Sequence, residues 1–194
     1  MIKATEVQEL RAKTGAGLMD CKKALTEAKG DMAKALEVLK KKDAKIAAKK
    51  SDRDASEGVV GTYLHTNHKI GVLVEVNCET DFVARNEEFR TFVHDLAVHI
   101  AAANPQVIKP EDVTAEMLTE QKKIWEQEMA KDNKPKEIME KAMAGKEKKY
   151  KEEIALLTQS FYKDQEKTVG DVVTEKTGKI GERIEVARFV RYQM

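Results

Sequence analysis

Along this chain the spacing of apolar positions changes three times. In the first forty or so residues it is helical. Val7 and Leu10 mark one side of a first helix, which Thr5 can cap by accepting from a free backbone N–H. Gly15 and Gly17 interrupt the pattern. Leu18, Cys21, Leu25 and Ala28 then recur at helical intervals. Gly30-Asp31 ends that helix and caps a third, in which Ala35, Leu36 and Leu39 face inward. From Val59 the period changes. "VVGTYLHT" and "IGVLVEVN" are rich in β-formers and flank a short "NHK" turn, which predicts an antiparallel hairpin. Then Phe89, Phe92, Val93, Leu96, Ala97 and Ile100 form one continuous helical stripe. Asn86 is placed to cap it, with Glu87 and Glu88 at the positive end of its dipole, and Asn104-Pro105 stops it.

Further on, Thr114 opens a helix running through Trp125 to about Ala130, and Pro135 sits in the first turn of another. A shorter helix is expected over Val169 to Glu175. "RIEVARFVRYQM" alternates like a strand. A terminal strand returning to the hairpin gives a three-stranded antiparallel sheet with helices on one face. The expected fold class is therefore α+β: a three-helix bundle over 1–42, a lysine-rich linker over 43–57, and an α+β core over 58–194.

Composition narrows the function. The 194 residues are 41% hydrophobic and 36% charged, yet Lys+Arg (35) and Asp+Glu (34) nearly cancel to a net charge of +1. That gives no general attraction to nucleic acid or acidic membranes. The segment "KKKDAKIAAKKSDRDASEG" reads as an exposed linker, partly helical through its alanines. Its alternative, a nucleic-acid tail, lacks interleaved aromatics for stacking. No apolar run is long enough to span a membrane, and "MIKATEVQEL" has no apolar core of a secretion signal. Cys21 and Cys78 are isolated, which fits buried, reduced thiols in a cytoplasmic protein.

Motifs for covalent chemistry are missing. There is no phosphate-cradling glycine loop ending in Lys-Ser/Thr, no dinucleotide fingerprint and no nucleophile elbow. His94 and His99 are five apart and do not share a helix face. His65 and His68 flank a turn and can reach a metal, but they have no third ligand nearby and equally suit a hairpin tip. Trp125 falls at helical spacing, where core filling is the default. The chain points to action by binding, without a cofactor.

One stretch remains unexplained by these patterns. "ETDFVARNEEFR" (Glu79 to Arg90) joins an apolar strand to the striped helix, and it carries Asp81 and Phe82 where a short polar turn would do. Phe82 either tucks under the following helix, seven residues before Phe89, or projects outward as an anchor. An outward ring buries roughly 150–250 Å² in a partner's pocket. Asp81 beside it can reach a metal shell, a backbone N–H or a basic side chain.

"LRAKTGAGLMDCKKAL" (Leu10 to Leu25), "GVLVEVNCETDFVARN" (Gly71 to Asn86) and "RFVRY" near the end together resemble the bacterial elongation factor Ts family, over essentially the whole chain. The resemblance implies exchange of guanine nucleotide on elongation factor Tu in translation elongation, with no covalent catalysis. It implies that the opening bundle is of the ubiquitin-associated type. Thr80 to Val83 would form the segment that disturbs the partner's magnesium site, Phe82 wedging between elements of the GTPase domain and Asp81 helping to displace the metal's surroundings. "YLH" resembles the family's Tyr-x-His element and would place His65 near the partner's phosphate-binding loop. Leu18, Met19 and Lys23 of "GLMDCKK" would dock on a partner helix near the nucleotide's base. Many members carry two copies of the core subdomain, whereas only one hairpin-helix unit is found here. That marks a short form, expected to pair as a homodimer. No cysteine lies in the last hundred residues to cross-link such a pair. No membrane and no direct nucleic-acid partner is expected. The competing reading is an RNA-associated translation protein using the lysine-rich segment.

Overall fold

In the computed structural model, residues 2–129 and 136–194 are described. Three helices open the chain: α1 (Ala4–Thr14), α2 (Leu18–Glu27) and α3 (Met32–Lys50). Then follow strands β1 (Glu57–Leu64) and β2 (Ile70–Cys78), a single helical turn α4 (Asp81–Ala84), and α5 (Glu87–Ala103). Helices α6 (Ala115–Met129) and α7 (Lys136–Ile154) come next, then a small hairpin of β3 (Ser160–Phe161) and β4 (Asp164–Thr168). Helix α8 (Val169–Ile180) and strand β5 (Glu185–Gln193) complete the chain. The expectation of an opening three-helix bundle followed by a three-stranded antiparallel sheet with packed helices is met. Strand order is β1-β2-β5.

The described residues gather into two compact units. One comprises the chain up to Gly61, with Glu75–Val93 and Asp171–Ala187. Its helical part is built around Leu10, Cys21, Leu25, Ala35 and Leu39, all buried. The stops are those the glycines dictate. Gly15 takes φ 68°, where a side chain would be strained, and returns its N–H to the Arg11 carbonyl at 2.7 Å. Gly30 does the same at φ 88°, and Asp31 then caps α3 by accepting from the Lys34 amide at 3.1 Å. The cap of α1 is not Thr5, which lies within the helix. Lys3 holds that position, its amide donating to the Glu6 carboxylate at 2.8 Å, because the helix begins two residues earlier than the apolar pattern suggests. Helix α3 runs on through the lysine-rich segment to Lys50, its alanines favouring the helix.

The second unit comprises Thr62–Val74, His94–Gly170 and Arg188–Met194. At the tip between β1 and β2, the His65 amide donates to the Ile70 carbonyl and His68 takes φ 56°. Tyr63 meets His94 of α5 edge-on at 6.2 Å, and Arg191 of β5 donates from Nε to the Ala101 carbonyl at 3.2 Å. Helix α5 therefore lies on the face of the sheet that carries Tyr63 and Arg191. The opposite face shows Leu64, Leu73, Val190 and Tyr192 to solvent. Every position of the predicted stripe, from Phe89 to Ile100, is buried. Asn86 caps the helix through the Glu88 amide at 2.8 Å. Trp125 is buried and stacks edge-on with Tyr150 at 5.7 Å. His99 is buried against Gln159 (3.1 Å), and burial lowers its pKa, so it is a neutral core residue. The placement of Pro135 in a helical first turn lies outside the described residues.

Two features were not legible. The β3–β4 hairpin is too short and polar to show alternation. Helix α8 extends past Glu175 to Ile180, where Gly181 at φ 79° ends it. Helices α3 and α8 meet closely: a Cβ on Gly178 would lie 2.3 Å from an Asp43 carboxylate oxygen. Burial, then the nearby Glu175 and Asp20 carboxylates, push the Asp43 pKa from 3.8 to about 6. A raised carboxyl pKa is a penalty in the charged state, absent at low pH and complete above the folded value. Asp43→Asn is therefore expected to raise the melting temperature at pH 7.5, the difference closing as the pH is lowered to about 4 in a thermal-denaturation series.

Candidate functional site

The joint between β2 and α5 is the most unusual stretch of the first unit. Strand β2 ends at Cys78, buried and uncharged, because burial and then the Glu182 carboxylate raise its thiol pKa; the thiol donates to the Thr80 carbonyl at 3.2 Å. Thr80 is extended and begins the single turn α4. That turn closes by the Ala84 amide donating to the Thr80 carbonyl (3.2 Å) and the Arg85 amide to that of Asp81 (3.0 Å). Ala84 is its one buried residue, and Arg90 fastens it by donating from Nε to the Ala84 carbonyl at 3.2 Å. At about 100° per residue, a side chain two positions from Ala84 must point the other way. Phe82 does so and is 81% exposed. The tucked alternative for this ring is thereby excluded. Val83 is half-buried. Asp81 pairs with Arg85 at 3.1 Å in an exposed pair, which leaves the carboxylate easy to recruit elsewhere.

The root of this turn is held by groups that no sequence pattern pointed to. Glu182, just after α8, accepts from the Thr80 amide at 3.1 Å and from its hydroxyl at 2.7 Å. In return the Arg183 amide donates to Glu79 at 2.7 Å. Glu79 also pairs with Lys50 at 3.3 Å and Arg53 at 3.0 Å. The Arg183 amide first, then Arg53 and Lys50, hold the Glu79 pKa below its ordinary 4.5. The only hint in the sequence was Gly181, a helix stop that turns the chain back toward the joint.

In the same unit, α2 exposes Leu18 (49%) and Met19 (61%) in its first turn, while Cys21, Ala24 and Leu25 pack inward. Lys23 is exposed one turn beyond Met19, on the same side. Asp20 is tied to Lys42 of α3 at 2.6 Å. His65 belongs to the other unit. Its Nδ1 meets the Tyr63 hydroxyl at 2.9 Å. His68 is exposed at the tip. Among the described residues no group of three His, Cys, Asp or Glu is placed to hold a metal, and no helix is long and apolar enough to cross a membrane.

Comparison with known proteins decides what these surfaces belong to. A family profile described as elongation factor Ts matches residues 4–194. The chain belongs to the elongation factor Ts family. It is 51% identical over 194 residues to elongation factor Ts of Moorella thermoacetica, covering 100% of this chain and 96% of that one. It is 53% identical over 193 residues to elongation factor Ts of Geobacter metallireducens, covering 100% and 89%. As a member of the family it is a nucleotide-exchange factor for elongation factor Tu, acts in translation elongation and is not an enzyme.

Glu79 supports the fold above its own pKa and ceases to do so when protonated. In urea titrations Glu79→Gln is expected to be less stable than the parent at pH 7, by about 1–2 kcal/mol. The two curves should converge as the pH falls well below 4.5, the ordinary value for this group.

Proposed function

We propose that exchange works through Phe82 as a rigid wedge, with Thr80, Asp81 and Val83 completing the segment that disturbs the magnesium site of elongation factor Tu. The observation that carries this is the 81% exposure of a phenylalanine ring on a turn whose other end is fastened. Such a ring is disfavoured in water and gains about 1.5–3 kcal/mol on entering an apolar slot. A GTPase holds GDP through backbone donors, a lysine and Mg²⁺, and Mg²⁺ requires near-ideal octahedral geometry. Small displacements of its surroundings therefore weaken it sharply, and Asp81 supplies a competing charge there. No bond to the nucleotide is needed. A factor that prefers the empty GTPase loosens GDP by the same free energy with which GDP loosens the factor.

In this proposal the exposed Leu18 and Met19, with Lys23, dock on a helix of the partner near the base. His65, oriented by Tyr63, lies near the phosphate-binding loop. The bundle over 1–42 is the docking module and the core over 58–194 carries the exchange segment. Action is in the cytoplasm. The near-zero net charge supports protein rather than nucleic-acid binding. We further propose a homodimer, paired through the open sheet face bearing Leu64, Leu73, Val190 and Tyr192. An apolar patch on an otherwise charged surface favours a covering partner, and a second copy brings an identical face.

Phe82→Ala is expected to slow release of labelled GDP from elongation factor Tu by roughly ten- to thirtyfold, since each tenfold step corresponds to about 1.4 kcal/mol. Its melting temperature should barely move. A loss of about 3–5 kcal/mol in stability would instead mark a core residue. The parent chain should sediment as a dimer at micromolar concentration and Leu73→Asp as a monomer. A monomeric parent removes the pairing.

A further inference from the structure

We propose that Glu182 is a positioning residue for exchange: by gripping Thr80 at two points it sets the direction in which the Phe82 ring leaves the surface. This rests on the reading of Phe82 as the wedge.

A helix of four residues cannot hold its own shape, because one turn fixes many torsions for very few hydrogen bonds. Turn α4 has one buried residue, Ala84, at its far end. Its near end must therefore be held from outside. Thr80 offers two donors there, an amide and a hydroxyl, and both go to the two oxygens of one carboxylate, at 3.1 and 2.7 Å. Two bonds to one planar group fix rotation as well as position, and bonds to a charged acceptor are the stronger kind. The hydroxyl of Thr80, in the N-cap position of α4, makes no cap bond of its own. It is committed to Glu182 instead.

The grip is useful only if Glu182 is itself held, and it is. Gly181 closes α8 with its amide on the Thr177 carbonyl at 2.9 Å. Lys176 and Lys179 of α8 pair with Glu88 at 2.8 and 2.6 Å, at the start of α5. Arg183 returns a bond to Glu79, and Ile184 and Val186 are buried immediately beyond. The wedge thus sits between two fixed points: Glu182 at its root and Arg90 at its end. A ring ordered before docking avoids the ordering cost at the moment of binding, so more of the contact energy reaches the partner's metal site.

The test measures GDP release from elongation factor Tu against concentration of the full-length chain, for Glu182→Ala, Glu182→Gln, Thr80→Val and Phe82→Ala, with melting temperatures alongside. For Glu182→Ala the maximal rate should fall about tenfold, as expected for losing bonds to a charged group. Its half-saturating concentration should stay within about twofold, because docking through α2 is untouched. Glu182→Gln should recover most of the rate, since the amide can accept from the Thr80 N–H while donating to its hydroxyl. In the Phe82→Ala background Glu182→Ala should cause no further loss. A native maximal rate for Glu182→Ala, or a full additional loss in that background, overturns the inference. Should Glu182→Ala fail to fold, Thr80→Val carries the test: about threefold slower supports the grip, and a native rate overturns it. If Phe82→Ala itself exchanges at the native rate, the wedge reading falls first. Slow Phe82→Ala with native Glu182→Ala removes the positioning role alone.

Discussion

Two adjacent residues at the end of β2 and two just after α8 satisfy one another. Glu182 takes both donors of Thr80, and Arg183 gives its amide to Glu79. This reciprocal exchange is the constraint on which the rest of the site depends. Without it a strand would run into a four-residue turn with only Ala84 to anchor it, and the phenylalanine on that turn would have no defined direction. Buried or half-buried backbone groups at such a joint need partners. Here the partners come from about a hundred residues away, so local sequence alone could not announce them.

The same constraint links the elements of the first unit. Glu79 collects Lys50 from the end of α3, Arg53 from the connection into β1, and the Arg183 amide. Glu88, at the start of α5, collects Lys176 and Lys179 from α8. These are two carboxylates, each shared between cations, one on either side of the exposed ring. Isolated surface pairs contribute little. Carboxylates shared between two cations fix geometry more firmly, and Glu79 also accepts a backbone amide.

The legible part of the fold was the part written in period. The stripe from Phe89 to Ile100, the glycine stops at 15 and 30, the Asp31 and Asn86 caps and the terminal strand all follow from local chemistry and all appear. The β3–β4 hairpin did not show, because a two-residue strand has no period to detect. The length of α8 was misjudged because its last turn, "KTGKI", mixes glycine and lysine in a way that mimics a loop. For the site, "TDFV" was visible as an anomaly, but its residues alone could not say whether Phe82 faced in or out. One turn of geometry decided it, through the burial of Ala84. Glu182 was invisible, because a lone glutamate after a helix carries no signal until its distant partner is known.

Because α4 is secured at Thr80 and Ala84 and not at the residues between them, its outward positions are chemically independent of the fold beneath. Asp81 and Phe82 can drift through substitution without a stability threshold standing in the way, whereas Thr80 and Ala84 cannot. If these residues meet the GTPase as proposed, natural selection can adjust the match one surface residue at a time, while the scaffold beneath stays the same.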